Sequence, residues 1–466
     1  MNTNTKPQAS TKGKLKFMIG ATLGAFLFLM PIPTGGGAFN IPLGIVIDWG
    51  HNLLNYGESN TEDIRVWIAY FVVTFSFVGT IIAHLLKPKF IMNHDRLKEV
   101  LLASPLYVIT RILAFMIITM VLFDFGPAAV IDRWDGGGLM VFDFITTLTT
   151  IFLVLTFAIP LLTDFGLMEF IGILIKKIVN KLFTLPGRAS VDLVASWFGS
   201  SVVSVIITRD QHEKGFYTGR EAAVICANFA LVSVPFSLVV AGALGLETHF
   251  LLWYLVISIV CVILGILMPR IWPFKNLSNS YLEGVDKQID EEVEEGNTRF
   301  NKALTLASAR AEEVTAKDVI TSGINSWINS FLDLFPIVIT WGTIAVLINA
   351  LTPIFEWISW PFGLMLEALN VPGGAAFAPA TVIGFVDMYL PAVFLGSDIY
   401  FETRFILGAL SIVQVIYLAE TGALILKSKI PLGFGKLLSI FIMRTVIGLP
   451  LIVLLTWIIT QLGLIG

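Results

Sequence analysis

Residues 186–220 read PGRASVDLVASWFGSSVVSVIITRDQHEKGFYTGR. The segment is apolar enough to enter a bilayer, but Gly199, Ser200, Ser201 and Ser204 interrupt its centre. About 20 residues separate Arg188 from Arg209, the length of one helical crossing. Lys181 and Arg188 precede it, and Arg209, Lys214 and Arg220 follow it. A single crossing carries its basic residues mainly at its cytoplasmic end. Basic residues at both ends therefore predict a re-entrant hairpin over 186–210. It enters from the cytoplasm, breaks at Gly199-Ser200-Ser201 and returns. Irregular backbone at membrane depth survives only where protein or a water-filled cavity satisfies it, so such a hairpin marks a candidate binding site.

The same order of elements returns about 185 residues later. Val371-Pro372-Gly373-Gly374 matches Leu185-Pro186-Gly187-Arg188, Gly384 matches Gly199, and Arg404 matches Arg220. Each Pro-Gly follows an amphipathic run, Phe165 to Phe183 first and Pro353 to Leu369 second. A second re-entrant hairpin is predicted over 372–398. Interrupted apolar segments at matching positions in two halves point to the site of a secondary transporter.

The rest of the chain agrees with a membrane reading. Hydrophobic residues make up 56% and charged residues 14%, with a mean hydropathy of +0.83, against about 45–50% and 25% for soluble domains. Crossings are predicted at about 17–32, 64–86, 100–123, 141–163, 220–244, 249–268, 325–350, 404–427 and 438–463. Residues 41–56 read as a short or interfacial segment. Residues 1–16 form a cytoplasmic tail, 17–140 a scaffold, 141–268 the first repeat, 269–324 a cytoplasmic linker and 325–466 the second repeat. In the linker, Asp286 to Glu295 reads as solvated and Thr305 to Ile320 as a surface helix. The run from Phe17 to Met30 lacks a small-residue cleavage site, which predicts a retained helix.

With the N-terminus cytoplasmic and both hairpins returning to their own side, all but five of the 30 Lys and Arg fall in cytoplasmic segments or at their borders. The exceptions are Arg65, Arg111, Arg133, Arg404 and Arg444. The positive-inside rule accounts for this bias. It also gives the two repeats opposite topology, because the first hairpin enters from inside and the second from outside. The fold class is thus an all-α polytopic membrane protein, with about nine transmembrane helices and two re-entrant hairpins in inverted repeats. A multi-pass membrane location with a cytoplasmic N-terminus follows.

The layout of Phe165 to Gly245, and again of Trp341 to Lys427, resembles the nucleoside-recognition or gate domain. Its sharpest local piece is Trp197-Phe198-Gly199-Ser200-Ser201. By architecture the resemblance covers roughly 140–466, and the whole chain looks like the YjiH-like group of gate-domain membrane proteins. It is similar, more distantly, to concentrative nucleoside transporters. That resemblance implies two hairpins and two partly unwound helices enclosing a substrate and a coupling ion. Gate domains also occur in iron-transport and sporulation proteins, so the family leaves the substrate open.

Ser200, Ser201 and Ser204 at the first hairpin either bind a hydrogen-bonding solute or serve close helix packing. Asn228 and Ser233 lie mid-helix beside Pro235, which removes a backbone donor and frees a carbonyl near Leu231; an ordinary kink is the other reading. Gln414, Glu420 and Thr421 occupy the matching helix, and a carboxylate at that depth is costly unless it functions or is paired, for instance with Arg444. Asp387 is either a proton or cation site or a helix cap. Asn228, Ser233 and Gln414, with the three serines, are the substrate-binding candidates; Glu420, Asp387 and Thr421 are the ion-coupling candidates. Arg111 is expected to pair with Asp143 or Asp164. Cys226 and Cys261 read as core residues. The five histidines show no ligand spacing and no phosphate loop is present, so neither a metal site nor an enzyme is expected, and no cofactor beyond H⁺ or Na⁺ as coupling ion. The partners expected are a small-molecule solute and lipid, not nucleic acid, with a homo-oligomer or a paired gate-domain subunit left open. The alternatives to a transporter are a non-transporting gate-domain component and an ion pathway.

Overall fold

A computed structural model describes residues 10–30, 32–35, 38–54, 63–93, 98, 101–102, 105–133, 136–199, 201–285, 299–396 and 399–465. Ser200 and the acidic piece Asp286 to Glu295 lie outside the described residues, as do the side chains of Asp333 and Glu420.

Five helices among the described residues are long and apolar enough to cross a membrane: Ile64–Leu85, Gly137–Leu161, Gly219–Ala243, Glu247–Asn276 and Phe434–Gln461. The protein is an all-α polytopic membrane protein with one small antiparallel hairpin, Ile32–Gly35 paired with Ala38–Asn40. Of the other expected crossings, those at 100–123 and 325–350 hold shorter apolar helices, that at 404–427 is broken near its middle, and that at 17–32 falls largely on one 19-residue helix, Thr11–Leu29.

The N-terminal helices are α1 (Thr11–Leu29), α2 (Pro42–Leu54), α3 (Ile64–Leu85), α4 (Pro105–Leu122) and α5 (Ile145–Thr163). Ser10 caps α1 by accepting from the Gly13 amide at 2.9 Å, which satisfies one of the orphan donors of a helix start. Helix α3 shows Phe71, Phe75 and Val78 on its exposed face, the side expected to meet lipid. Arg133 donates to Asp143 at 2.9 Å. Asp143 is thus held by Arg133, and Arg111, expected to pair with Asp143 or Asp164, is buried and donates to the Thr80 hydroxyl on α3.

The first repeat continues with α6 (Leu167–Phe183), α7 (Ala189–Phe198) and α8 (Ser201–Glu213), then α9 (Gly219–Val224), α10 (Val234–Ala243) and α11 (Phe250–Leu267). Helices α9 and α10 are two halves of one crossing. They are joined by a π turn, Ile225–Phe229, and by non-helical backbone at 230–233. This crossing is the centre of the molecule: 94% of its apolar window is buried, against 33% for α3. Ala222, Ala223, Ala227 and Ala230 are all fully enclosed. Small residues let helix backbones approach closely where lipid supplies no hydrophobic drive for association.

The linker contributes α12 (Arg299–Glu313). The surface helix expected over Thr305 to Ile320 falls on two helices, since α12 ends at Glu313 and the next begins at Ala316, and one face of α12 is packed down. Ala303, Ala307 and Ala311, spaced four apart on one face, are buried, and Ala307 and Ala311 cluster with Phe17, Ala21 and Phe170. The Lys16 ammonium caps its end by donating to the carbonyls of Glu312 at 3.0 Å and Val314 at 2.7 Å.

The second repeat runs through α13 (Ala316–Asn329), α14 (Thr343–Leu351), α15 (Ile354–Ala368), α16 (Ala380–Ile383) and α17 (Leu390–Leu395). It ends with α18 (Phe401–Val413), α19 (Ala423–Lys427) and α20 (Phe434–Gln461). Helices α18 and α19 repeat the broken crossing. Its break begins at Gln414, passes Val415 at φ +65° and resumes as a π turn over Leu418–Gly422. The Trp253 indole of α11 donates to the Phe405 carbonyl of α18 at 3.0 Å, tying the two repeats together.

Contacts fix which ends lie together. The α7–α8 pair opens where Arg188 stacks over the Phe216 ring at 3.7 Å, beside the start of α9. The α16–α17 pair opens where the Thr403 hydroxyl donates to the Pro372 carbonyl, at the start of α18. Arg404, one residue on, donates to the Leu244 carbonyl beyond the far end of α10. The two helical pairs therefore open at opposite ends of the α9–α10 crossing.

Candidate functional site

Both broken crossings lose regular helix at their midpoints, and each loss leaves carbonyls that need donors. In the first, Pro235 sits at the start of α10 and removes a backbone donor, while Ser233 caps α10 by accepting from the Phe236 amide at 3.5 Å. The Leu231 carbonyl is satisfied from outside the helix. Ser196 of α7 donates to it at 2.8 Å, and Ser196 is fully buried. The first hairpin is thus latched to the middle of the first broken crossing.

The second repeat makes the equivalent latch with the chemistry reversed. Here the broken helix donates: the Gln414 amide nitrogen gives to the Thr381 carbonyl at 2.7 Å, and the Leu418 amide gives to the Phe385 carbonyl at 2.9 Å. Thr381 and Phe385 belong to the second hairpin. Gly384 between them faces the Gln414 Oε1, and a Cβ there would collide with it. The break itself is tied internally. The Tyr417 hydroxyl donates to the Ser411 and Ile412 carbonyls at 3.0 and 2.9 Å, and Thr421 donates to the Val415 carbonyl at 3.4 Å.

One side chain joins the two breaks. Arg444 of α20 is fully enclosed. Its Nε donates to the Val413 carbonyl at 2.8 Å, its Nη1 to the Asn228 carbonyl at 3.2 Å and to Asn228 Oδ1, and its Nη2 lies 3.9 Å from the Cys261 sulfur. Asn228 sits in the π turn of the first crossing, and Val413 ends the helix before the second break. Thr445, the next residue on α20, accepts from Gln414 at 2.9 Å.

Of the predicted site residues, the structure gathers Asn228 and Gln414 at this crossing, with Ser233 and Thr421 within the same two breaks. Ser204 is turned inward to its own hairpin, donating to the Asp192 carbonyl at 2.9 Å, and Ser201 is buried at the start of α8. Asp387 accepts from the Tyr389 amide at 2.8 Å just before α17, an Asx turn leading into the helix. Sequence reasoning missed Asp192, which is buried in α7 and accepts from Thr208 of α8 at 3.0 Å. It also missed Ser196, Thr381 and the central place of Arg444. The repeat offset carried a usable signal: Ser196 maps onto Thr381, and Asn228 onto Gln414, at that spacing.

Comparison with known proteins places this geometry in a family. The nucleoside recognition (Gate) family matches residues 145–247, from the start of α5 past the end of α10. Over 446 residues the chain is 42% identical to an uncharacterised protein of Alkalihalophilus pseudofirmus, covering 95% of this chain and 94% of that one. The chain belongs to that protein's family. The gate-domain match holds the first hairpin and the first broken crossing, including Ser196, Asn228 and Leu231. A solved structure of a concentrative nucleoside transporter, CNTnw, in an outward-facing state is also similar, at 12% identity and a TM-score of 0.38, covering 96% of this chain and 98% of that one.

Proposed function

We propose that this gate-domain protein is a secondary active transporter of a small polar organic solute in the bacterial inner membrane, with a cytoplasmic N-terminus. One observation carries the reading: hairpins that open at opposite ends are each latched to the midpoint of a broken crossing, and Arg444 bonds both crossings. Broken helices expose amides, carbonyls and polar side chains at mid-depth, where a solute can replace its hydration shell. Opposed hairpins supply two gates, one for each side. The first latch is one hydrogen bond and the second two, each of modest strength, about 1 kcal/mol, so one gate can release while the other holds.

Asn228, Ser233 and Gln414 form the solute-binding set, with Ser200, Ser201 and Ser204 at the hairpin that covers it. Glu420 and Thr421, in the second π turn, are the leading residues for coupling to H⁺ or Na⁺. Asp387 ranks lower because its carboxylate already accepts from the Tyr389 amide. A nucleoside, an amino acid and a dipeptide each fit a site of this polarity. Uptake of such a panel into proteoliposomes, with and without an imposed H⁺ or Na⁺ gradient, tests the reading. Gradient-dependent accumulation of one class supports it, and no accumulation of any class in a folded preparation sinks it.

A further inference from the structure

We infer that Arg444 is the receptor for a carboxylate, so that the solute is a small carboxylate bearing an N–H group rather than an uncharged nucleoside. The inference rests on the transporter reading above and narrows its substrate class.

A guanidinium stays charged in proteins and cannot be relieved by losing its proton. A buried charge is tolerated when it is paired and hydrogen-bonded. Arg444 is fully enclosed, yet among the described residues all its partners are uncharged: two backbone carbonyls, a carboxamide oxygen and a thiol. The carbonyl dipoles of the two breaks lower the cost of the charge without cancelling it. The contact of Nη2 with Cys261 Sγ is the weakest of the set, which leaves that nitrogen able to take a better acceptor.

Two further buried polar atoms, one at each break, lack partners among the described residues. Asn228 Nδ2 and Gln414 Oε1 are both buried with no hydrogen bond. Their identities are set by the bonds their other ends make. Asn228 must turn its oxygen to the arginine, which can only donate, so its nitrogen is the idle atom. Gln414 must turn its nitrogen to the Thr381 carbonyl, which can only accept, so its oxygen is the idle atom. The crossing therefore offers a positive charge, an N–H donor and a separate acceptor. A carboxylate answers the first two, and an N–H on the same solute answers the third. Amino acids and dipeptides carry both groups. The two carboxamides are repeat-related, so each half of the protein supplies one arm of the site.

The test uses the purified full-length protein and its melting temperature in detergent. The probes are amino acids and glycyl dipeptides, their C-terminal amides, and uridine. A ligand that binds only the folded state raises the melting temperature. The carboxylates are expected to raise it by a few degrees and the amides not at all. Asn228→Asp places a carboxylate of the same shape on Nη1, so this variant is expected to melt higher than the wild type without ligand. It is also expected to bind carboxylate probes about tenfold or more weakly. Amides or uridine that stabilise as well as the carboxylates, no response to any carboxylate, or an Asn228→Asp protein melting at or below the wild type overturns the inference. Gradient-driven uptake of uridine with no carboxylate response removes this inference and leaves the transporter standing. A carboxylate response without uptake keeps the receptor and removes transport.

Discussion

Replacing Ser196 with Ala deletes the latch between the first hairpin and the first broken crossing. The hydroxyl is fully buried and donates to the Leu231 carbonyl at 2.8 Å. Nothing in the variant replaces that donor, so a buried carbonyl is stranded. Stranding costs about 1–3 kcal/mol in soluble proteins, while measured bonds between membrane helices average about 0.6 and reach about 1.7 kcal/mol. About 1–2 kcal/mol is therefore a fair value here, and it raises the population of the opened hairpin about 5–30-fold. The chain carries its own reporter. Cys226 is buried in the π turn under the hairpin, beside Thr208 of α8. In a Cys261→Ala background, the rate at which Cys226 reacts with a thiol reagent follows the open population when closing is fast. Ser196→Ala should speed that reaction about 5–30-fold, and Ser196→Thr, which keeps a hydroxyl, should restore much of the protection. An unchanged Cys226 rate in a folded Ser196→Ala protein would refute the latch.

Three further outcomes are expected. Glu420→Gln should abolish gradient-driven accumulation and spare exchange, read by proteoliposome uptake beside purified yield; a fall in yield alone assigns Glu420 to a structural ion pair. Lys16→Ala should lower the melting temperature, because two carbonyls at the end of α12 lose their donor, at about 0.5–1.5 kcal/mol per bond; an unchanged temperature removes the cap. Burial pushes the Glu169 carboxyl on α6 above its ordinary range, and its Oε2 has no partner. For an acid with a raised folded pKa the destabilisation is present above that pKa and relieved as pH falls through it. Glu169→Gln should therefore melt higher than wild type at neutral pH, with the gap closing as pH falls toward the ordinary glutamate range; a gap that holds constant contradicts the titration.

The paired short helices and the breaks were legible because they rest on local chemistry. Pro186, Gly199, Pro235 and Gly384 interrupt apolar runs, and such interruptions read directly from sequence. The repeat was legible from the order of elements more than from identities. Arg444 was not, since its partners Asn228 and Val413 lie 216 and 31 residues away and no periodicity links them. Helix α12 reads as a surface helix because alanines at a four-residue spacing carry little hydrophobic contrast. Only the packing against Phe17 and Phe170 shows that this face is covered. Asp387 had a capping reading available from its place before Pro391, and its carboxylate accepts from the Tyr389 amide just ahead of the helix.

The central claim is that the two hairpins open to opposite sides of one membrane. Single cysteines at Lys181 and Lys214 flank the first hairpin, and single cysteines at Asn370 and Glu402 flank the second; all four positions are exposed. The native Cys226 and Cys261 are both buried. In intact cells an impermeant thiol reagent should label the Asn370 and Glu402 positions, and should reach Lys181 and Lys214 only after lysis. Labelling of all four from one side, or of the two flanks of either hairpin from different sides, would contradict the account.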